Sequence, residues 1–388
     1  MHKNNAPLYF HFYGFYSLIP QENKKNNVYL HCFFEQKWLC AQKQSNPTST
    51  NKLYSTLMKK HIAIIAGGNS SEVIVSLKSA QGIYSFINKN EYSVSIVTLI
   101  GTKWSVQVSP DVEVEIDKND FSYTWENKKH HFDFAYITIH GTPGENGILQ
   151  GYFELIDLPY SCSGVLAAAL TFNKFTCNQY LKGFGIPVAT SILLRKNQQI
   201  NSQDVIEKVG LPCFIKSNVG GSSFGVTKVK EEKQIQEAIH KAFEEGEEVI
   251  IESFLQGTEV TCGMYQTSSK TQVFPITEVV TENEFFDFDA KYNGQVTEIT
   301  PARISETLSN RIQQQTIEIY ELLGCKGIIR ADYIIDKNNT PYLLEVNTTP
   351  GMTTTSFIPQ QVKAAGIDIA DVMHDIIENE YEKLTTKA

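Results

Sequence analysis

Residues 328–351, IIRADYIIDKNNTPYLLEVNTTPG, most constrain what this chain can build. Two apolar runs flank the turn DKNN, which predicts an antiparallel hairpin. Arg330 and Asp332 are two residues apart and share a strand face; Glu345 and Asn347 share a face of the next strand. Apposed across the hairpin, Asp332, Glu345 and Asn347 give three oxygen donors with a guanidinium close by. Such donors suit a hard cation, Mg²⁺ rather than zinc or iron. A solvated strand end accounts equally well for Glu345 and Asn347 alone. A surface ion pair is the other plain account of Arg330, but the apolar flanks would bury these charges.

At 388 residues the chain is long enough for two or three domains. No apolar run approaches the ~18–20 residues of a membrane span, so a soluble protein with no membrane partner is expected. A net charge of −9 argues against a general nucleic-acid binder. Seven cysteines without a CxxC pair predict reduced thiols in the cytosol. Residues 1–57 stand apart: they are rich in aromatics, end in the polar tract QKQSNPTSTNK, and carry six Lys against two Glu. With no aliphatic core and small-residue cleavage site, they do not read as a signal peptide. MKKHIAIIAGG, from Met58, reads as a fresh start. The expectation is an N-terminal extension over 1–57, mis-annotated or disordered, packing poorly on the rest.

Beyond it, strands are expected at 61–66, 93–100 and 132–140 with helical stretches between, implying a parallel sheet. Ligands bind such sheets beyond the strand C-ends, where the loops GGNSSE and HGTPGENG fall. A helical stretch over 164–183 opens a second region with strands at 212–216 and 249–252. A third has strands near 258–265, 273–279, 325–335 and 341–347, and helices near 305–323 and 368–383. The expected domains are 58–162, 163–255 and 256–388.

Two further segments carry chemistry. In FIKSNVGGSSFGV (214–226) a strand delivers Lys216 into a loop with Gly220, Gly221, Ser222, Ser223 and Gly225. Glycines let backbone N–H groups approach an anion, and serines add hydroxyl donors; no GK[ST] follows, so this is not the P-loop pattern. A flexible hairpin is the plainer alternative. In VIIESFLQGTEV (249–260) an apolar strand ends at Glu252, with Leu255 and Glu259 beyond. Backbone there can read an adenine edge and Glu259 can accept ribose hydroxyls, although alone a solvated strand end fits better.

Together these pieces resemble the ATP-grasp superfamily, and within it the D-alanine–D-alanine ligases. The resemblance runs from about Lys59 to the C-terminus through HGTPGENGILQGYFELIDLPYSCSG, KSNVGGSSFGV, FFDFDAKY, GCKGIIRADYIID and LLEVNTTPGMTTTS. It implies an α/β ATP-grasp fold in three domains: a parallel α/β domain, a central α+β domain and a C-terminal catalytic α+β domain. ATP would be co-substrate, with two Mg²⁺ (or Mn²⁺) bridging its phosphates on Asp332, Glu345 and Asn347.

By the same resemblance Lys174, Lys216 and Ser223 would contact phosphates, and Glu252, Leu255 and Glu259 would line the adenine and ribose site. Glu72 would pair with the ammonium of a first D-alanine, with His140 nearby. Ser222 and Tyr292 would join Glu72 in a closing network. Arg330 and the Gly351 N–H would stabilise the oxyanion, and Ser356 would bind the carboxylate of a second D-alanine. Lys291, on a lid over 282–297, would reach the γ-phosphate. Tyr292 favours an amine acceptor over D-lactate. The partners implied are ATP, D-alanine and a second copy in a homodimer, in the cytoplasm. A ligase with a different D-amino or D-hydroxy acceptor is the alternative. The chain departs from the family where Val73 and Ile74 replace the usual second Glu, and at Thr355, where some relatives carry His.

Overall fold

β1 (Lys60–Gly67) is buried along nearly its whole length, as a strand covered on both faces must be. Ile62, Ile64 and Ala66 meet Ile83 of α1 (Val73–Phe86) in one core. Ala63 and Ile65 meet Phe121 and Phe153 in another. This is a computed structural model, describing residues 59–70, 72–220, 225–281 and 296–387. The N-terminal extension lies outside the described residues, as do Ser222, Ser223, Lys291 and Tyr292.

β2 (Tyr92–Ile100) runs parallel to β1 on one side. Between it and β7 the expected helix is replaced by strands: β3 (Lys103–Ser109), β4 (Val112–Glu115), β5 (Tyr123–Trp125) and β6 (Lys128–His130). Their short alternating runs, WSVQVS and VEVE, are separated by Gly101-Thr102 and Pro110-Asp111, which favour hairpins. β7 (Phe134–Ile137) is shorter than expected and runs parallel to β1. The sheet order is β4-β3-β2-β1-β7, with β3 and β4 antiparallel, so the sheet is mixed rather than parallel throughout. The parallel β1 and β7 send the loops after Gly67 and Ile137 out at one end. Gly67 permits this exit: its φ is 104°, and a Cβ there would lie 2.3 Å from the Leu99 carbonyl oxygen.

α2 (Ile148–Leu155) covers the sheet through Leu149 and Phe153. The helical stretch expected over 164–183 is two helices, α3 (Val165–Phe172) and α4 (Lys174–Lys182). Asn173 separates them, adopting extended backbone and capping α4 by accepting from the Thr176 N–H at 2.9 Å.

The second sheet, β8 (Ser191–Arg195), β9 (Cys213–Ser217), β10 (Thr227–Val229) and β11 (Glu248–Ser253), has order β10-β9-β11-β8 and is antiparallel. α5 (Ser202–Val209) and α6 (Ile235–Glu244) share its core. The third comprises β12 (Thr258–Gln266), β13 (Thr271–Val273), β14 (Thr277–Thr281), β15 (Val296–Ile299), β16 (Gly327–Ile335) and β17 (Pro341–Asn347). Its order is β15-β14-β12-β16-β17, with β13 beside β12; the single strand expected near 273–279 is thus two. α7 (Glu306–Leu322) packs Ile312 and Ile319 on it. α8 (Phe357–Ala364) and α9 (Ile369–Lys387) bring Ile358, Val372 and Ile376 into the β1 core.

Among the described residues five cysteines are buried free thiols, and burial pushes Cys162 and Cys262 up to about 12. No described helix is long and apolar enough to cross a membrane.

Candidate active site

The predicted hairpin forms. In the β16–β17 register Arg330 opposes Asn347 and Asp332 opposes Glu345. Next, Tyr333 opposes Leu343, so a bulge leaves Leu344 as the extra residue. Leu344, Glu345, Asn347, Arg330 and Asp332 all line one cavity of about 1130 Å³.

Two carboxylates directly opposite one another repel, and two cations compensate them here. Arg330 Nε donates to Asp332 Oδ1 at 2.9 Å and Nη2 to Oδ2 at 2.7 Å. Burial alone works against the Arg330 charge, but Asp332 raises its proton affinity further. Lys174 Nζ lies 3.1 Å from Glu345 Oε2 and donates to the Gly220 carbonyl at 2.7 Å. Its charge is likewise opposed by burial and more than restored by Glu345.

Asn218, which sequence reading missed, fixes where Lys174 starts its helix. It accepts from the Phe175 N–H at 2.8 Å on its side chain and from the Lys174 N–H at 3.1 Å on its carbonyl. Its amide donates to Glu248 at 2.8 Å. These bonds tie α4 to the segment leading into the glycine–serine loop.

In the same cavity Lys216 Nζ sits 2.6 Å from Glu252 Oε2, with Leu255 and Glu259 among the lining residues. Glu252 is buried, so this carboxylate is held in place by its lysine.

Glu72 stands at the N-cap position of α1 and lines the cavity with His140. His140 Nε2 is 3.4 Å from Ser79 Oγ, and Nδ1 is 3.9 Å from Glu145 Oε1. Glu145 also accepts from the Gly141 N–H at 2.7 Å, which closes the His140 loop; sequence reading did not single it out. Of Val73 and Ile74, which stand in place of the expected second Glu, Ile74 is 66% exposed and does not line the cavity.

Gly351 and Ser356 line the same cavity. A Cβ on Gly351 would meet Ser356 Oγ at 3.0 Å. Ser356 Oγ accepts from the Thr353 N–H at 3.1 Å and shares a 2.8 Å bond with Thr353 Oγ1. Ser356 is the N-cap residue of α8, where helix N–H groups and the macrodipole favour an anion. The loop is anchored on α1: Met352 N–H donates to Ser79 Oγ at 3.3 Å, and a Cβ on Gly82 would lie 2.1 Å from the Met352 carbonyl.

Two more acids line the cavity, both missed from sequence. Glu278 is clasped by Arg303, Nε at 2.9 Å and Nη2 at 2.7 Å. Glu298 accepts from Gln360 Nε2 at 2.5 Å.

Among the described residues no three His, Cys, Asp or Glu side chains converge to hold a metal by themselves. The Asp332–Glu345–Asn347 set has two carboxylates and an amide, so a cation here draws its remaining ligands from elsewhere. That chemistry fits Mg²⁺, which keeps few protein carboxylates and completes its shell with waters and phosphate oxygens.

Comparison with known proteins agrees with this arrangement. Residues 61–163 match the family model "D-ala D-ala ligase N-terminus" and 180–378 the model "D-ala D-ala ligase C-terminus". A D-alanine–D-alanine ligase of Bacteroides fragilis is 64% identical over 324 residues, 84% of this chain and 100% of the relative. Among solved structures, the VanG D-Ala:D-Ser ligase from Enterococcus faecalis superposes with TM-score 0.73 at 29% identity, over 83% of this chain and 100% of that one. The D-alanine–D-alanine ligase of Bacillus anthracis, complexed with ATP, gives TM-score 0.68 at 28% identity, over 85% and 100%. These matches, spanning both halves of the described chain and its ATP-grasp fold, place it in the D-alanine–D-alanine ligase family.

Proposed function

We propose that the chain joins two molecules of D-alanine, converting ATP to ADP and phosphate, and so supplies D-alanyl-D-alanine for peptidoglycan precursors. The observation that carries this reading is the cluster of Arg330, Asp332, Glu345 and Asn347 on one wall of a cavity that Lys216 and Glu252 also line.

In this reading the adenine and ribose lie against Leu255, Glu252 and Glu259, and the phosphates reach Lys216, Lys174 and Ser223. Asp332, Glu345 and Asn347 would hold the two divalent cations, Mg²⁺ or Mn²⁺. When bound, the cations act as Lewis acids on phosphate oxygens and as a template. Glu72, beside His140, binds the ammonium of the first D-alanine, whose carboxylate attacks the γ-phosphorus; positioning and charge neutralisation carry most of that step. Ser356, at the start of α8, holds the second D-alanine by its carboxylate. Its amine attacks the acyl phosphate, and Arg330 with the Gly351 N–H receives the oxyanion. Ser222, Lys291 and Tyr292 close the site and exclude water from the acyl phosphate.

Domains of 58–162, 163–255 and 256–388 follow the three sheets. Ile148, Leu155 and Leu166, 61%, 85% and 78% exposed on neighbouring α2 and α3, support a homodimer through that face. A cytoplasmic location follows from a peptidoglycan-precursor substrate.

The test is phosphate release from ATP with D-alanine, L-alanine, D-serine or D-lactate. Turnover with D-alanine and none with L-alanine is expected. Preference for D-serine or D-lactate would favour a related ligase with another acceptor, and turnover with L-alanine alone would overturn the assignment.

A further inference from the structure

We infer that Glu298 is the proton acceptor for the second amino acid, the group that converts its ammonium into the attacking amine. This rests on the reading that Ser356 holds that substrate's carboxylate and Arg330 receives its oxyanion.

The chemistry demands such a group. At neutral pH an amino acid arrives as an ammonium with no lone pair to attack a carbonyl. Glu72 serves the first D-alanine, at the other wall. Among the cavity's other carboxylates, Asp332 is paired with Arg330, Glu345 with Lys174, Glu252 with Lys216 and Glu278 with Arg303, while Glu145 accepts from the Gly141 N–H and Glu259 serves the ribose in this reading. Glu298 differs from the four paired ones. Among the described residues its hydrogen-bond donor is a neutral amide, Gln360 Nε2 at 2.5 Å, and it forms no ion pair closer than 4 Å.

Gln360 also fixes where Glu298 sits. The same Nε2 donates to the Thr355 carbonyl at 2.8 Å, and the Gln360 N–H donates to the Ser356 carbonyl at 3.3 Å. Gln360 thus ties the Glu298 carboxylate to the Thr355 carbonyl through its side chain, and through its own N–H to the backbone of the serine that receives the substrate carboxylate. An α-amino acid bound by its carboxylate at Ser356 places its ammonium a bond or two away, within this corner. The groups facing Glu298 are Arg330 from β16, Gln360 from α8 and, directly opposite on β14, Val279; Glu278 with its Arg303 is one register position away and points to the other face of the sheet. Burial raises the proton affinity of Glu298 above that of an ordinary carboxylate, while the Gln360 bond and Arg330 pull it back. The result suits an acceptor better than a permanently ionised partner.

In the step, the ammonium N–H bond breaks and its proton passes to Glu298. The freed nitrogen lone pair forms the C–N bond to the acyl-phosphate carbon, and the C=O electrons move to oxygen beside Arg330. Their return breaks the C–O bond to phosphate, which leaves with that electron pair and takes the second nitrogen proton. Glu298 then gives its proton to water.

The experiment uses the full chain with Glu298→Gln and Glu298→Asp, each assayed with ATP and D-alanine in two arms. One measures dipeptide. The other adds hydroxylamine, a neutral nucleophile that needs no deprotonation before attack, and measures the hydroxamate, which also reports folding and acyl-phosphate formation. For Glu298→Gln, dipeptide formation falls about 10²-fold or more while hydroxamate stays within about twofold. Glu298→Asp falls between Glu298→Gln and wild type in dipeptide formation, and the acid limb of the wild-type pH–rate profile disappears in Glu298→Gln. Parallel loss in both arms, or no loss in either, would overturn the proposal. A wild-type chain that makes neither product from D-alanine would instead refute the D-alanine reading, and this inference with it.

Discussion

Asp332 and Glu345 face one another across the β16–β17 pair, each held by a cation from a different element: Arg330 from its own strand, Lys174 from the start of α4. Neither carboxylate's position is stable without compensation, and a divalent cation is one more source of it.

Replacing Asp332 with Asn keeps the shape and removes one charge. The Mg²⁺ concentration giving half-maximal phosphate release should rise more than about tenfold, since even partners outside a ligand set are typically worth ~10–100-fold. Excess chelator should abolish turnover of the wild type and Mg²⁺ restore it. An unchanged Mg²⁺ titration in Asp332→Asn would remove Asp332 from the ligand set.

Arg330→Ala removes a charged donor from the proposed reacting centre. The kcat for dipeptide formation should fall ~10²–10³-fold, the usual consequence of losing one oxyanion donor. Circular dichroism guards against a folding defect, because the variant also leaves Asp332 without its fork.

Gly82 touches no substrate in this reading, yet it sets how closely α1 approaches the loop bearing Gly351 and Ser356. A methyl group there would lie 2.1 Å from the Met352 carbonyl, so one side must move. Gly82→Ala should lower kcat by about 10²-fold, the scale of a misplacement near 1 Å, while ADP affinity measured by calorimetry stays unchanged. A loss of nucleotide affinity would show that the displacement spreads beyond this loop.

Glu378 predicts a pH dependence of stability. Burial pushes its carboxyl up, but hydrogen bonds from Lys60 and Tyr92, the latter at 2.7 Å, hold it below the ordinary value of 4.5. A carboxyl depressed on folding contributes stability above its unfolded pKa and loses it as pH falls through the folded one. Thermal unfolding should therefore drop as pH falls below about 4.5. Glu378→Gln should lower stability at pH 7 by about 1–2 kcal/mol, and its melting curve should approach the wild type's at acid pH. Parallel curves at all pH values would show that another group governs the acid limb.

Much of this arrangement was legible in the chain. Residues two apart on a strand share a face, so Arg330 with Asp332, and Glu345 with Asn347, follow from local alternation. The DKNN turn then allows only one partner strand. The 101–131 segment misled because its strands are short and their partners are antiparallel neighbours rather than the crossover helices that βαβ patterning suggests. Lys291, Tyr292, Ser222 and Ser223 lie outside the described residues, so their roles stay as the resemblance implies them.

The sequence by itself determined the elements whose geometry is local: the apolar β1, the hairpin that sets Arg330, Asp332, Glu345 and Asn347 along one wall, and the family they mark. Tertiary structure alone decided the pairings between distant segments: Lys174 with Glu345, Gly82 with Met352, Glu298 with the backbone around Ser356. The physical reason is range. Strand alternation and turn chemistry act over a few residues, whereas a contact across more than fifty residues exists only once sheets and helices have packed and fixed which side chains share a wall.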